Sequence, residues 1–590
     1  MKQFFKFMFA SMLGTFLTGI ILFFIGIGII ASMISGLKKE EINVPSNSIL
    51  QLTLSNEIFD RASNNPMQSF DFASLKSKSA SGLNDILKCI SKAKKDNNIK
   101  GILLDVSDIK AGFASVAEIR NELIDFKKSG KFIVSYSEAY SQKSYFLASV
   151  ADKIYVNPEG MVDFRGLAAE IMFYKGTLQK LDIEAQIIRH GKYKSAIEPF
   201  ILDKMSDANK EQTLTFISSI WNDVLQKISD SRKVPVKELN EIANTLALET
   251  AQDAVKLKFA DATIYKDELL ALLQKKAGID SEKTVSLITL DKYMLAPSTE
   301  KVKREKDKIA VIYAIGQIES GEGNDVTIGS ERISKAIRDA RQDDNIKAIV
   351  LRVNSPGGSA LASEIIWREV ILAKKVKPVV VSMGDVAASG GYYIACGANK
   401  IFADPTTITG SIGVFGMIPN LKKFFNNKLG ITIDGVKTNS HADYLSTMHP
   451  METYEYNVMQ KSIENIYTTF ITHVADGRKL SVEQVDSIGQ GRVWSGADAK
   501  RIGLVDDFGG LQKAIEAAAK LAKIEAYRVV DLPKQKDAFT QIIESLSGKS
   551  TSVQFIQEQL GDNFTNYQYL QSIKKMKGVQ ALMPFTIEIH

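Results

Sequence analysis

Two cysteines in 590 residues exclude a disulfide framework, and Cys89 and Cys396 read as small buried hydrophobes. Histidine is nearly as scarce, with five in the chain. His190, His441, His449, His473 and His590 stand in no triad order, and no G-x-S-x-G elbow surrounds a serine. No group of residues has metal-ligand spacing, and nothing calls for a metal or an organic cofactor. Positive charge is in small excess: the net +6 is spread over the whole length. Such a balance mildly favours anionic membrane surfaces and gives no ground for a nucleic-acid partner. Residues 7–37 lack charge altogether.

That uncharged run is rich in Phe, Ile, Leu, Met and Gly, and it exceeds the roughly 20 apolar residues that cross a bilayer. It is also longer than the apolar stretch of a cleaved signal peptide, about 7–15 residues. Ala31-Ser32-Met33-Ile34-Ser35 makes a poor cleavage site, so an uncleaved anchor is expected. Lys2 and Lys6 precede the span, while Lys38 and Lys39 follow it beside Glu40 and Glu41. The basic residues are thus nearly balanced, and charge alone only leans toward placing the bulk of the chain outside the cytoplasm.

A chain this long exceeds one hydrophobic core, and it repeats itself. Residues 96–106, DNNIKGILLDV, are answered by residues 343–353, DDNIKAIVLRV. At the same offset of 247, ADKIYVNP at 151–158 is answered by ANKIFADP at 398–405. A period this long means duplicated domains rather than a solenoid. Each copy opens on a short strand-like run, at 49–54 and at 309–314, and then alternates helices with continuous apolar runs. In the second copy these runs are 348–353, 379–382 and 401–403, with helix 360–374 between the first two. Continuous apolar strands separated by helices indicate buried parallel strands in an α/β fold. The expected division is an anchor at 1–43, a first repeat at 44–276, a charged solvated connector at 277–308, and a second repeat at 309–532. The tail at 533–590 has no repeat partner; it looks helical and polar, and its role is unreadable.

The copies differ where chemistry could lie. Ala387-Ala388-Ser389-Gly390-Gly391-Tyr392 stands opposite Tyr140-Ser141-Gln142-Lys143-Ser144-Tyr145. Conversely Gly191-Lys192-Tyr193-Lys194-Ser195-Ala196 stands opposite Asn439-Ser440-His441-Ala442-Asp443. Ser389 ends an apolar strand and opens a helix behind two glycines, a context for a nucleophile and equally for an N-cap. Pro356-Gly357-Gly358, present only in the Ser389 copy, can aim backbone N–H groups at an oxyanion or simply form a tight turn. A serine needs a base. Lysine can serve when desolvation lowers its pKa, and Lys194 has the apolar company of Tyr193, Ala196, Ile197, Pro199 and Phe200. Most lysines are surface charges, so composition alone does not decide its role.

Four motifs, in order, resemble the signal peptide peptidase A family. They are Gly191-Lys192-Tyr193-Lys194-Ser195-Ala196-Ile197-Glu198-Pro199, Pro356-Gly357-Gly358, Ala388-Ser389-Gly390-Gly391-Tyr392 and Thr409-Gly410-Ser411-Ile412-Gly413-Val414. The similarity is to the long, two-repeat, membrane-anchored form and runs from about Val44 to Leu532. It implies an α/β protein of two tandem ClpP/crotonase-like repeats after an N-terminal transmembrane helix. It implies a serine endopeptidase in which Ser389 is the nucleophile, Lys194 the general base and Ser411 the residue orienting the amine. Backbone at Gly357, Gly358 and Gly390 would bind substrate and oxyanion. The implied substrates are released signal peptides and other extended apolar peptides. The implied setting is the bacterial inner membrane, with the repeats on the periplasmic side and the chain in a homotetramer. The dyad could then form within one subunit or between two.

Three other functions compete. A crotonase-type acyl-CoA enzyme shares the fold but does not call for Ser389 and Lys194 in opposite copies. A membrane scaffold leaves both motifs idle. A histidine-based protease would need one of the five imidazoles beside a serine.

Overall fold

The computed structural model describes residues 2–35, 42–63, 70–71, 76–77, 82–280, 284–297, 305–535 and 579–583. Helix Lys2–Ser35 contains, at Gln3–Phe24, the one helix among the described residues long and apolar enough to cross a membrane, by length and composition. No residue of that window is buried within the chain. Residues 36 and 37 of the uncharged run lie outside the described residues.

Each repeat builds a sheet around the same parallel strands. In the first the order is Ala262–Thr263, Lys153–Val162, Phe132–Tyr140, Ile99–Asp105, Ser48–Leu52 and Leu287–Thr289. In the second it is Val493–Ser495, Ile408–Gly410, Val379–Ala388, Ile346–Ser355, Lys308–Ile315 and Arg528–Leu532. The continuous apolar runs follow from burial on both faces. Successive strand residues point to opposite sides: Leu50, Ile102, Leu104 and Ile133 enter one core, and Ile49, Leu103 and Val134 enter another. The second repeat divides Ile312, Ile349, Leu351 and Val381 from Val311, Val350 and Val380 in the same way.

The stretch 277–308 differs from a plain solvated connector. Leu287–Thr289 joins the first sheet as a parallel neighbour of Ser48–Leu52, just as Arg528–Leu532 flanks Lys308–Ile315 in the second. The run of charge from Lys301 onward had hidden an apolar Leu287-Ile288 pair, of which Ile288 is buried. Residues 281–283 and 298–304 lie outside the described residues.

A third sheet ties the halves together, in the order Thr327–Gly329, Gln317–Glu319, Gly357–Ser359, Gln580–Leu582, Phe415–Asn420 and Glu184–Arg189. Its last strand comes from the first repeat and pairs antiparallel with the second repeat's Phe415–Asn420. Its Gln580–Leu582 strand lies in the tail, whose residues 536–578 and 584–590 lie outside the described residues. A buried ion network also crosses the boundary. Arg352 pairs with Asp60 at 2.5 Å and Glu118 at 2.6 Å, and Asn354 donates to the other Asp60 oxygen at 2.6 Å. Burial disfavours the Arg352 cation, but Asp60 and Glu118 outweigh it and hold the guanidinium charged.

Candidate active site

Strand Val379–Ala388 ends at Ser389, and helix Gly390–Ala395 begins after it. Ser389 has φ 54° and ψ −115°, a conformation an L-residue adopts only under strain. Its side chain makes no capping bond. The hydroxyl is buried and lies 2.8 Å from the Lys194 amine within the same chain.

Lys194 reaches that place through the third sheet. Strand Glu184–Arg189 lies on Phe415–Asn420 with Arg189 opposite Phe415, so the lysine loop leaves the first repeat already seated on the second. Tyr193 N–H then bonds the Gln490 carbonyl at 3.0 Å. Gly491, at φ 85°, lies so close that a Cβ there would come within 2.6 Å of Lys194 N. Gly413 borders the lysine stem on another side, where a Cβ would sit 3.4 Å from Lys194 Cδ. Gln212, on helix Asp207–Arg232, secures the loop by donating to Tyr193 O at 3.1 Å and Ser195 Oγ at 2.6 Å, and it accepts from Val493 N at 3.2 Å. Beyond the loop, Glu198 accepts from Ser206 N, Ser206 Oγ and Asn209 Nδ2 at 3.1, 2.6 and 2.9 Å.

The amine has three oxygen neighbours: Ser389 Oγ at 2.8 Å, Ser411 Oγ at 3.1 Å and Ser411 O at 3.2 Å. Lys194 is fully buried, and burial alone holds its pKa well below the ordinary lysine value. A neutral amine has two N–H donors and one lone pair. With its two N–H groups given to the Ser411 oxygens, the neutral amine would turn its lone pair to the Ser389 hydroxyl, whose proton here goes to the Gly413 carbonyl at 3.4 Å.

Ser411, also at positive φ (49°), stands next to the strand Ile408–Gly410, whose partner Val379–Ala388 carries Ser389. In the first repeat Lys153–Val162 is one strand, but its pairing with Phe132–Tyr140 shifts register between Ser137 and Ala139. In the second, the strand is split into Lys400–Ala403 and Ile408–Gly410, both paired with Val379–Ala388. Gly357 N–H bonds Ser355 Oγ at 3.1 Å, and Gly358 lies opposite Ala581 on the neighbouring strand. A Cβ on Gly357 would lie 2.7 Å from Gly390 N, so the two segments touch.

Sequence reading had missed Gln212 and Gly491, and it gave Gly413 no role although that glycine stands in the Thr409–Val414 motif. A glutamine inside a polar helix carries no local signal, and the two glycines matter only through a distant partner. In the first repeat the place of Ser389 falls to Gln142, whose side chain accepts from Arg165 N and Gly166 N, each at 2.9 Å; that half-site is built into the fold. The histidines are engaged elsewhere. His190 stacks on Tyr467, His473 bonds Glu364, His441 bonds Glu455 and His449 bonds the Pro450 carbonyl. His590 lies outside the described residues.

The pattern of Peptidase family S49 matches residues 125–280 and again 371–525, and that of Clp protease matches residues 298–408. Protease 4 of Salmonella typhi is 38% identical over 545 residues, covering 90% of this chain and 87% of that protein. Protease 4 of Haemophilus influenzae is 37% identical over 447 residues, 74% of this chain and 72% of its own. The chloroplastic serine protease SPPA of Arabidopsis thaliana is 32% identical over 550 residues, covering 92% and 78%. The architecture is accordingly two S49 repeats of ClpP-like α/β type after an apolar N-terminal helix. Matched twice along its length and similar over most of its span to proteases, the chain belongs to Peptidase family S49 and is a serine protease.

Proposed function

We propose that this protein is a membrane-anchored endopeptidase with a Ser389/Lys194 dyad, acting on released signal peptides and other extended apolar peptides. The observation that carries the reading is the 2.8 Å contact between a water-excluded lysine amine and a strained serine hydroxyl.

Neutral Lys194 takes the Ser389 proton as Oγ attacks the substrate carbonyl, while the two Ser411 oxygens hold the amine in line. Gly358 and Gly390 N–H groups bind the oxyanion, a contribution worth roughly 3–4 kcal/mol per donor in related chemistry. Protonated Lys194 returns the proton to the leaving amine. Water, activated by the same lysine, then hydrolyses the acyl-enzyme. The apolar helix Lys2–Ser35 holds this site at a membrane, where cleaved signal peptides remain. The repeats then work on the extracytoplasmic face of the inner membrane, in a homotetramer.

Detergent-purified wild type, Ser389→Ala and Lys194→Ala are assayed on a synthetic signal peptide. Each variant should lose activity by about ten-thousand-fold or more with an unchanged circular dichroism spectrum; turnover retained by either rejects the dyad. Light scattering of the detergent-solubilised protein checks the tetramer, and protease accessibility in spheroplasts checks the orientation.

A further inference from the structure

Arg492 stands between Gly491, which borders the lysine, and strand Val493–Ser495. Its backbone already belongs to the site. Ser411 N–H donates to the Arg492 carbonyl at 2.6 Å, which helps to hold Ser411 at its positive φ. On either side, Gly491 N–H donates to Ile412 O at 2.7 Å and Val493 N–H to Gln212 Oε1 at 3.2 Å.

The side chain ties the same pieces together from outside. Its guanidinium lies over the Tyr193 ring at 4.7 Å and over the Trp494 ring at 4.5 Å. An aromatic face attracts a cation, and the flat guanidinium stacks on it as an ammonium cannot. The outer edge forks onto Glu211, with Nη1 donating to one carboxylate oxygen at 3.1 Å and Nη2 to the other at 2.6 Å. Each partner leads to a different part of the site. Tyr193 precedes Lys194, and Glu211 precedes Gln212 on helix Asp207–Arg232. Trp494 lies on the second repeat's sheet opposite Thr409, its indole N–H fixed on Ile488 O at 2.9 Å. The Arg492 side chain is 15% exposed, and its Nε is buried without a hydrogen bond among the described residues. Counted back from the matching segments 251–254 and 496–499, the first copy has Ala247 and Glu249 where the second has Arg492 and Trp494. The clamp therefore accompanies the nucleophile and is missing from the other half.

We propose that Arg492 is a positioning residue for the Lys194 base. This rests on the Ser389/Lys194 mechanism above. Arg492 acts through Tyr193 on one side and Ser411 on the other. It fixes the amine against the Ser411 oxygens and closes the lysine pocket to water. Lysine at 492 would keep the charge and lose both the fork and the flat stack.

Arg492→Lys, Tyr193→Leu, their double variant and Arg232→Lys are assayed in detergent on an added apolar peptide, beside wild type and Lys194→Ala. The readouts are kcat, KM and the pH profile of kcat/KM. Arg232 is the control: it lies at the far end of the helix that carries Glu211, is 12% exposed, and bonds Lys258 O at 2.9 Å and Asp261 at 3.2 Å. Arg492→Lys should lower kcat about tenfold or more and leave KM within about twofold. The acid limb of its profile should move to higher pH, because water reaching the amine relieves its desolvation while the charge at 492 is unchanged. Tyr193→Leu should do the same. The double variant should be no worse than the poorer single variant, since both break one contact. Arg232→Lys should match wild type in kcat and in the acid limb. Four outcomes overturn the proposal. Arg492→Lys could keep the wild-type kcat and acid limb, or it could raise KM alone, which would put Arg492 on the substrate. The two losses could multiply in the double variant, or Arg232→Lys could lose as much as Arg492→Lys, which would trace the effect to packing. Each of these leaves the dyad standing while Lys194→Ala is inactive; turnover retained by Lys194→Ala removes both.

Discussion

Lys194 and Ser389 are 195 positions apart in the chain, yet amine and hydroxyl meet at 2.8 Å with both side chains shut off from solvent. One comes from each repeat, so the pair exists only while the repeats are docked.

The pH dependence follows from the buried amine. In the proposed mechanism Lys194 acts as a base only when unprotonated, and burial holds its pKa well below the usual lysine range. kcat/KM should fall as pH drops through that lowered pKa and stay high on its alkaline side. Lys194→Arg remains charged at every working pH and should be inactive throughout. Ser411→Ala removes an acceptor that favours the charged form, so its acid limb should move to lower pH. Loss of the orienting bond should also reduce kcat by about tenfold. A Ser411→Ala profile superimposed on the wild-type curve would contradict the orienting role.

The same burial has a cost in stability. Between the lowered folded pKa and the ordinary value near 10.5, the unfolded chain binds a proton that the native protein does not. Stability therefore rises with pH across this window, and the penalty is fully present below it. Lys194→Met, close in shape and never charged, should make the protein harder to unfold in urea at neutral pH. The advantage should shrink as pH approaches 10.5. A variant less stable than wild type at pH 7 would mean that the Ser411 and Ser389 contacts outweigh desolvation.

The Asp60–Arg352 pair is the electrostatic counterpart of the dyad, joining the repeats with each side chain only 1% exposed. Asp60→Ala leaves the guanidinium with Glu118, Ser382 Oγ and the Met383 carbonyl, and breaking a buried pair in this way typically costs about 3–5 kcal/mol. Lys335→Ala removes a pair whose partners are 69% and 55% exposed, and it should change stability by less than about 1 kcal/mol. Urea unfolding of the two variants side by side measures the contrast. Equal, small losses would show that Arg352 does not hold the repeats together.

Legibility in the sequence tracked how local the physics was. The runs at 348–353 and 379–382 are buried on both faces, so their composition alone announces parallel strands. Ser389 was visible because strand, turn and helix adjoin it in sequence. Its approach to Lys194 was not derivable from spacing, because the antiparallel pairing of Glu184–Arg189 with Phe415–Asn420 is what delivers the lysine. Strand Gln580–Leu582 was hidden for a similar reason: three residues carry no period, and both partners that make it a strand come from elsewhere. Arg352, in contrast, could be seen to differ from Asp105 in the first copy, but only the fold shows Asp60 waiting for it.

Gly491 offers the sharpest test of how the lysine is placed. Its φ is 85°, and a Cβ there would lie 2.6 Å from Lys194 N and 2.7 Å from Lys194 Cα and Cβ. These are main-chain atoms and the root of the side chain, so no rotamer change relieves the contact. Gly491→Ala must displace the loop that carries the base, and a shift of about 1 Å in a reacting group can cost around a hundredfold in rate. The expected result is a kcat reduced by about that factor with a nearly unchanged KM, because Gly491 borders the lysine loop itself. Gly130→Ala supplies the control: φ is 79° there too, but nothing lies within 4 Å of the added carbon. Backbone strain without displacement should lower stability by about 1–2 kcal/mol and leave kcat alone. If both variants lose kcat equally, strain rather than the Lys194 contact explains the effect, and Gly491 does not position the base.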